Sequence, residues 1–214
     1  MSLETPWPSV LLASRSPRRR EFLSAAGIPH LAEHPGFDDS VLAPGLVSPS
    51  RFVAALAYLK AWAGARLPSA SNCRVILGAD TTCIHDDRMI GTPRDEAEAV
   101  RMLHRLSDST HDVVTAVAVI DSRQRRRTLF TDAASVTVGH LTESMINDYV
   151  ASGAWKGKAG AYNLSERVAA GWPLRCEGDE TTVMGLPMRK LLPLLRSIAR
   201  DDATHDPEVH GVLL

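Results

Sequence analysis

Three arginines, Arg18, Arg19 and Arg20, lie at the start of a predicted helix, which is the helix end that disfavours positive charge. Ser16 followed by Pro17 is a typical N-cap and first-turn pair, so the helix is expected to begin at Pro17. Arg18 and Arg19 would then lie beside backbone N–H groups that have no partner within the helix. A bound anion would reverse this electrostatic penalty. The stretch therefore suggests a phosphate-binding site, with a solvated basic turn as the alternative.

Carboxylates at two places in the chain suit the same chemistry. Asp80 follows the apolar residues 74–79 and is expected at the carboxyl end of a strand, where open α/β sheets place their ligands. Asp38 and Asp39 form an acidic pair in the sequence PGFDDS. Taken alone, Asp80 could equally initiate a turn, and the acidic pair could belong to an ordinary loop. Separated carboxylates with arginines and lysines are, however, the groups that magnesium-assisted phosphate chemistry uses.

Cysteine and histidine show no comparable pattern. Cys73, Cys83 and Cys176 are an odd number without CxxC spacing, which argues against a disulfide framework or a structural zinc site. The eight histidines lack the spacing of metal ligands. This cysteine usage fits a reducing compartment, and we expect a cytoplasmic protein.

The composition is that of an ordinary globular chain. Its 214 residues, 44% of them hydrophobic, can bury one core or two small lobes. A net charge of −1 gives no global attraction to nucleic acid or to an anionic membrane, and only 5% of the residues are aromatic. The N-terminus lacks a signal pattern, and no apolar run reaches membrane-spanning length. Neither nucleic acid nor membrane is therefore an expected partner.

The elements that must position these residues alternate between strand-like and helix-like patterns. This alternation predicts an α/β fold, a mixed twisted sheet with flanking helices. Thr92 is the expected N-cap of the third helix. Residues 1–200 are expected to form one domain, and residues 201–214 a loose tail. Strands are predicted over residues 10–13, 28–33, 74–82, 111–121 and 128–141, and helices over residues 17–26, 51–65, 92–107, 142–150 and 191–198.

The order and spacing of the motifs resemble those of the Maf nucleotide pyrophosphatases, also called septum formation inhibitor proteins. The resemblance implies two lobes around a cleft, similar to the inosine triphosphate pyrophosphatases, in a chain that usually forms a homodimer. It also implies hydrolysis of nucleoside triphosphates to monophosphate and pyrophosphate with a divalent metal, Mg²⁺ or Mn²⁺. The matching motifs extend over nearly the whole chain: LLASRSPRRREFL (11–23), LKA (59–61), GADTT (78–82), the segment 91–117, KAGAY (158–162) and VMGLP (183–187).

The matching positions imply roles for single residues. Asp80 matches the family's proposed proton acceptor, and Asp38 matches an acidic residue near the metal and the attacking water. Both are therefore predicted metal ligands. Lys60, the lysine of the family's KA helix, is the third predicted catalytic residue, although alone it could be a surface lysine. The predicted substrate-binding residues belong to the phosphate loop or face it: Ser14, Ser16, Arg18, Arg19, Thr81, Lys158 and Ser165.

Two positions depart from the family pattern. Thr92 replaces the phosphate-contacting lysine of the usual GKP sequence, and Ser165 replaces the glutamine of members that act on dTTP and UTP. Arg18 and Thr81 do match the dTTP and UTP branch, so a pyrimidine triphosphate is the favoured substrate. A nucleotide-binding regulator with weak or lost catalysis is the alternative, and the missing lysine favours it.

Overall fold

A seven-stranded mixed sheet forms the centre of the fold. The computed structural model describes residues 7–37, 42–43 and 45–203. The strands are β1 (Val10–Ala13), β2 (His30–Glu33), β3 (Val75–His85), β4 (Arg88–Ile90), β5 (Ser109–Asp121), β6 (Arg126–Val138) and β7 (Leu174–Glu177). The helices are α1 (Pro17–Ala25), α2 (Pro49–Gly64), α3 (Glu96–Leu106), α4 (Glu143–Ala151), α5 (Leu164–Ala169), α6 (Glu180–Val183) and α7 (Met188–Ala203), with short 3₁₀ turns at Pro68–Asn72 and Ala159–Ala161.

The strands follow the order β2-β1-β3-β5-β6-β7, and β4 forms a hairpin with β3. β1 is parallel to β2 and to β3, whereas β3, β5, β6 and β7 are antiparallel to their neighbours. The register between β1 and β3 ends at the pair Leu12 and Leu77. The rest of β3, including Asp80, therefore extends beyond the carboxyl end of β1.

Two apolar cores lie side by side on one face of the sheet. The first packs α1 and α7 against residues such as Ala79 of β3 and Val117 of β5. In the second, Cys83 of β3 packs with residues of α3 and α4. Because side chains alternate along a strand, Ala79, Thr81 and Cys83 share this face. Thr81 lies directly opposite Thr115 of β5, so a polar pair separates the two lobes.

Helix α2 covers the opposite face of the sheet. Ala57 and Ala61 pack there with Ala116 and Ala118 of β5. The approach to β3 is closest at Gly78, where an added Cβ atom would lie 2.3 Å from the carbonyl oxygen of Ala57. The absence of a side chain at Gly78 therefore lets the helix lie directly on the strand.

The predicted α/β architecture and the start of α1 are confirmed. Ser16 caps α1, because its Oγ atom accepts a hydrogen bond from the backbone N–H of Arg19. The position of Asp80 was predicted wrongly, since β3 continues to His85 and places Asp80 within the strand. The predicted cap of α3 is also wrong. Asp95, not Thr92, caps this helix by accepting from the backbone N–H of Glu98 at 2.7 Å.

The sequence pattern did not predict four short elements, β4, β7, α5 and α6. The last helix is longer than predicted, because it begins at Met188 and includes residues 201–203, which had been assigned to the tail. Residues 204–214 lie outside the described part of the chain. Among the described residues, no helix combines the length and the apolar character that a membrane span requires.

Candidate active site

A cleft of about 460 Å³ opens between the two lobes, and this volume suits a ligand of nucleotide size. Seven of the ten predicted site residues line it. Ser14 lines an adjoining cavity instead, and Ser165 lines neither space. Asp38 lies outside the described residues, so its predicted role stays a prediction. The seven residues brought together are Ser16, Arg18, Arg19, Lys60, Asp80, Thr81 and Lys158.

Asp80 and Lys60 form an ion pair in the cleft. Lys60 Nζ donates to Asp80 Oδ1 at 2.6 Å, and the two side chains are 16% and 13% exposed. The close packing of α2 on β3 at Gly78 brings these residues together, because Asp80 lies on the same strand face as Gly78. The lysine fixes the orientation of a partly buried carboxylate. A carboxylate held in this way can accept a proton from water or bind a cation.

Arg19 connects the phosphate loop to both lobes. Its Nε atom donates to the carbonyl oxygen of Gly185 at 2.7 Å, and Nη1 donates to Ser14 Oγ at 3.1 Å. Nη2 donates to Thr81 Oγ1 at 3.2 Å. Gly185 has a φ of +100°, and an added Cβ atom would lie 3.3 Å from Arg19 Nε. Arg19 therefore has a structural role beside the phosphate-binding role predicted for it.

A chain of hydroxyl groups continues from Arg19 into the sheet. Thr115 is fully buried and donates its hydroxyl proton to the carbonyl oxygen of Thr182 at 2.7 Å. Since that proton is used, the 2.8 Å contact with Thr81 must be a hydrogen bond from Thr81 to Thr115. Neither Thr115 nor Thr182 is among the site residues predicted from the sequence. A threonine within the apolar run VVTAV was the available signal for Thr115.

The start of α1 faces the cleft with backbone donors and cationic side chains. Ser14 Oγ accepts from the backbone N–H of Ser16 at 3.2 Å, and this bond shapes the loop that precedes the helix. Arg18 lines the cleft. Its Nε atom is buried without a hydrogen-bond partner in the part of the chain that the structure describes. This arrangement is suited to a bound anion.

The adjoining cavity, of about 590 Å³, shares Ser16, Arg19 and Lys60 with the cleft. Arg15 and His34 also line it. His34 Nδ1 accepts from the backbone N–H of Gly36 at 3.1 Å and lies 3.2 Å from Arg15 Nη2. A backbone N–H and a guanidinium group can only donate, so Nδ1 carries the lone pair and Nε2 carries the proton. The cavity is therefore rich in hydrogen-bond donors.

The opposite end of the cleft is largely apolar, with Tyr162 and His111 among its polar residues. His111 is 2% exposed, and its Nε2 atom lies 2.9 Å from the hydroxyl of Tyr162. Burial, with a smaller contribution from His85, lowers the pKa of His111 to about 4 against the opposing effect of Asp112. Burial also raises the pKa of Tyr162. Both side chains are therefore neutral at pH 7. The apolar residues at this end are Leu56, Cys83, Ile90, Val113 and Leu164.

Cys83 lines the cleft but is not a nucleophile. Burial and the nearby Asp112 carboxylate raise the pKa of its thiol to about 12. The thiolate, which is the reactive form, is therefore essentially unpopulated at neutral pH.

Lys158 approaches the cleft from the second lobe, and its Nζ atom donates to Glu166 on α5. Ser165 is exposed in the first turn of α5 and donates to Asn163 Oδ1 at 2.9 Å. Asn163 caps this helix and lines the cleft, whereas Ser165 is not part of the lining. The structure thus brings Lys158 to the site but does not place Ser165 in its lining.

The metal-binding capacity of the cleft depends on Asp80. Among the described residues that line the cleft, Asp80 alone carries a carboxylate. No group of three or more potential metal ligands occurs in the described part of the chain. One carboxylate together with substrate phosphates is a usual way to hold Mg²⁺, so the arrangement fits an ion that arrives with a nucleotide.

Comparisons with known proteins show which family the chain resembles. The family described as Maf-like protein matches residues 9–198. A dTTP/UTP pyrophosphatase of Salinibacter ruber is 38% identical over 193 residues, which cover 90% of this chain and 92% of the relative. A dTTP/UTP pyrophosphatase of Bacillus mycoides is 38% identical over 92% of this chain and 98% of its own length. A third, from Burkholderia thailandensis, is 39% identical over 89% and 93% of the two chains.

Proposed function

Because the chain belongs to the Maf-like protein family, we propose that it is a nucleoside triphosphate pyrophosphatase that prefers dTTP and UTP. The names of its relatives support this substrate class. The observation that carries the proposal is the ion pair of Lys60 and Asp80 in a cleft shared with the cationic start of α1. A positioned carboxylate beside an anion site is what hydrolysis of a phosphoanhydride requires.

The cleft suggests how a triphosphate binds. The apolar end with Tyr162 suits a base, and the donor-rich cavity suits the outer phosphates. Ser16, Arg19 and Lys60 line both spaces, so the α-phosphate would lie near them. In this arrangement, the bond between the α-phosphorus and the bridging oxygen is close to Asp80.

Asp80 orients a water molecule and accepts its proton as the water oxygen attacks the α-phosphorus. The bond from this phosphorus to the oxygen of the β-phosphate breaks, and pyrophosphate leaves with the bonding electrons. Arg18 and Lys158 neutralise the charge that develops on the phosphate oxygens. Mg²⁺ or Mn²⁺, held by Asp80 and the phosphates with Asp38 as a second predicted ligand, would supply further charge neutralisation.

The alternative of a catalytically silent nucleotide-binding regulator rests on Thr92, which lines the cleft at the position where the family resemblance implies a lysine. The ion pair of Lys60 and Asp80 is nevertheless complete. Because Thr92 is the one described feature that favours loss of catalysis and the paired carboxylate is in place, we retain the enzymatic proposal.

Two further properties are proposals that rest on the family resemblance and composition. We propose that the protein acts as a homodimer in the cytoplasm, and that neither nucleic acid nor a membrane is its partner. Sedimentation of the purified protein tests the first point, since a single monomeric species at micromolar concentration would contradict it.

The experiment that tests the main proposal measures pyrophosphate release from dTTP, UTP, CTP, ATP and GTP with Mg²⁺, with Mn²⁺ and with a chelator. We expect the fastest turnover with dTTP or UTP and none with the chelator. Asp80→Asn keeps the size of the side chain but removes its charge, so it should lower kcat at least about 100-fold. Asp87→Asn, in the exposed turn between β3 and β4, is the matched control.

Absence of pyrophosphate release from every triphosphate would contradict the proposed activity. Normal turnover by a folded Asp80→Asn variant would instead contradict the role of Asp80. Thermal unfolding monitored by circular dichroism shows that each variant is folded.

A further inference from the structure

Asn163 is a buried residue at the apolar end of the cleft. The residue is 5% exposed and lines the cleft together with its neighbours Tyr162 and Leu164. Asn163 Oδ1 accepts two hydrogen bonds, one from the backbone N–H of Glu166 at 3.1 Å and one from Ser165 Oγ at 2.9 Å. The first is the N-cap bond of α5. The oxygen of this amide is therefore fully engaged within the protein.

These bonds determine which way the amide points. A backbone N–H can only donate, so the atom of Asn163 that faces Glu166 must be the oxygen. The NH₂ group then points away from α5. Within the described residues, Nδ2 makes no hydrogen bond, and it is not among the buried polar atoms that lack a partner. Nδ2 is thus an accessible donor on a side chain that is otherwise fixed.

We propose that Asn163 Nδ2 donates to the O4 carbonyl of a bound uracil or thymine base, and that Ser165 is a positioning residue for this amide. The inference deepens the proposed pyrimidine specificity and rests on it. Uracil and thymine carry an acceptor at position 4, whereas cytosine carries an amino donor there. An amide NH₂ group can therefore donate a hydrogen bond to uracil or thymine. With cytosine, two donors would face each other, and no hydrogen bond could form.

The other polar groups at this end of the cleft are less suited to this contact. The Tyr162 hydroxyl and His111 Nε2 are paired with each other at 2.9 Å. Cys83 offers only a weak thiol donor. Ser165 is exposed and uses its proton on Asn163. The family resemblance implies a glutamine amide at position 165, where this chain has serine. Asn163 supplies an amide at this end of the cleft instead.

Asn163→Asp is the sharpest test, because aspartate keeps the N-cap acceptor and the shape of the side chain while replacing Nδ2 with an oxygen. The variant should lower kcat/KM for UTP and dTTP at least about 10-fold, since a carboxylate oxygen repels a carbonyl oxygen. The value for CTP should stay constant or rise, because the carboxylate can accept from the cytosine amino group. The measured quantity is the ratio of kcat/KM for UTP to that for CTP.

Two further variants separate base recognition from general effects. Asn147→Asp introduces the same charge on the exposed surface of α4, outside the cleft lining, and should leave the ratio unchanged. Ser165→Ala removes one of the two bonds that hold Asn163 Oδ1 and should lower the ratio about 2- to 3-fold through KM.

An unchanged UTP to CTP ratio in Asn163→Asp would overturn the inference. If both values fall by the same factor, the ratio is unchanged and Asn163 has a structural role only. If Asn163→Asp does not fold, Asn163→Ser provides the same test, since serine also caps helices but is too short to reach the base. If the natural protein hydrolyses no triphosphate, the proposed function fails. Calorimetric binding of UMP and CMP to the natural protein and to Asn163→Asp then tests the base contact independently.

Discussion

Arg19 shows how one side chain can have two opposing effects on stability. As a cation in the first turn of α1, it is disfavoured by the helix dipole by about 0.3–1 kcal/mol. Its hydrogen bonds to Gly185, Ser14 and Thr81 act in the opposite direction. A typical intramolecular hydrogen bond contributes about 0.5–1.5 kcal/mol net, so the three bonds together outweigh the dipole penalty.

We therefore predict that Arg19→Ala lowers the free energy of unfolding by about 1–3 kcal/mol in a buffer without phosphate. The same variant should bind triphosphate more weakly. Urea titration and a binding isotherm measure the two effects. Arg20→Ala, an exposed neighbour that does not line the cleft, is the control and should change neither value. Unchanged or increased stability of Arg19→Ala would mean that the helix dipole is the dominant effect.

At the residue scale, the charged residues that line the cleft could be predicted from the sequence, whereas the neutral polar residues beside them could not. Asp80, Lys60 and Arg19 line one cleft, and their chemical roles stay predictions. Asn163 and Thr115 were missed, because the direction of an amide or a hydroxyl depends on which donors surround it in three dimensions.

At the scale of elements, the contact between α2 and β3 determines the geometry of the ion pair. Gly78 has no room for a side chain, because its Cβ atom would lie 2.3 Å from Ala57 O and 2.5 Å from Ala61 N. These are backbone atoms of a helix and cannot move individually. Any side chain at position 78 must therefore displace α2 as a whole, and Lys60 with it.

Gly78→Ala is expected to lower the free energy of unfolding by about 1–3 kcal/mol, the usual cost of overpacking a core. It should also reduce kcat more than stability alone accounts for, because Lys60 moves away from Asp80. Activity measured well below the unfolding temperature separates the two effects. Gly27→Ala is the matched control, because its φ of +66° makes alanine there lower stability, whereas Gly27 does not line the cleft and kcat should stay unchanged. Full activity of Gly78→Ala would show that catalysis does not require this close approach of α2 to β3.

The strands β3 and β5 place His85 and His111 near each other, and the buried His111 makes stability depend on pH. Its pKa of about 4 in the fold lies below the ordinary value of 6.5, so the unfolded chain binds more protons between these two values. Stability is therefore expected to fall as the pH decreases from about 6.5 to about 4, by up to about 3 kcal/mol.

His111→Gln should flatten this pH dependence, because glutamine does not titrate and its amide can still pair with Tyr162. Unfolding free energies at pH 7, 6, 5 and 4 for both proteins provide the measurement. Parallel pH profiles would show that another group causes the acid sensitivity. The partly exposed His104→Gln is a suitable control, and its profile should follow that of the natural protein.

The sequence pattern predicted the long helices and strands, but not all of the residues at which they begin and end. The alternation of β5 and β6 and the cap at Ser16 are local signals, and both were read correctly. Asp80 lies within β3 because pairing with β5 continues past it, and such pairing is not visible in one segment. The cap of α3 shifted to Asp95, since either of two nearby residues could have started that helix.

At the scale of the whole molecule, the cleft collects cations from both lobes. Arg18 belongs to the lobe of α1, and Lys158 belongs to the lobe of α3 and α4. Thr92 also lines the cleft and is exposed. A cation at position 92 would strengthen the positive charge on the side opposite α1.

Thr92→Lys is expected to lower KM for dTTP and UTP about threefold or more at low ionic strength, and less at high salt. Thr110→Lys adds the same charge at an exposed position of β5 that does not line the cleft, and should have no such effect. Steady-state kinetics at two salt concentrations measure the difference. An equal KM in both variants would mean that position 92 does not reach the phosphates.

The bond from Arg19 to Gly185 joins residues that are 166 positions apart in the chain. A ribosome that makes this protein synthesises the phosphate loop well before the carbonyl that anchors it. A nascent chain that stops before Gly185 lacks this anchor, although it already contains Lys60, Asp80 and Lys158. The anchor of the phosphate loop therefore forms only after Gly185 has been synthesised, long after the loop itself.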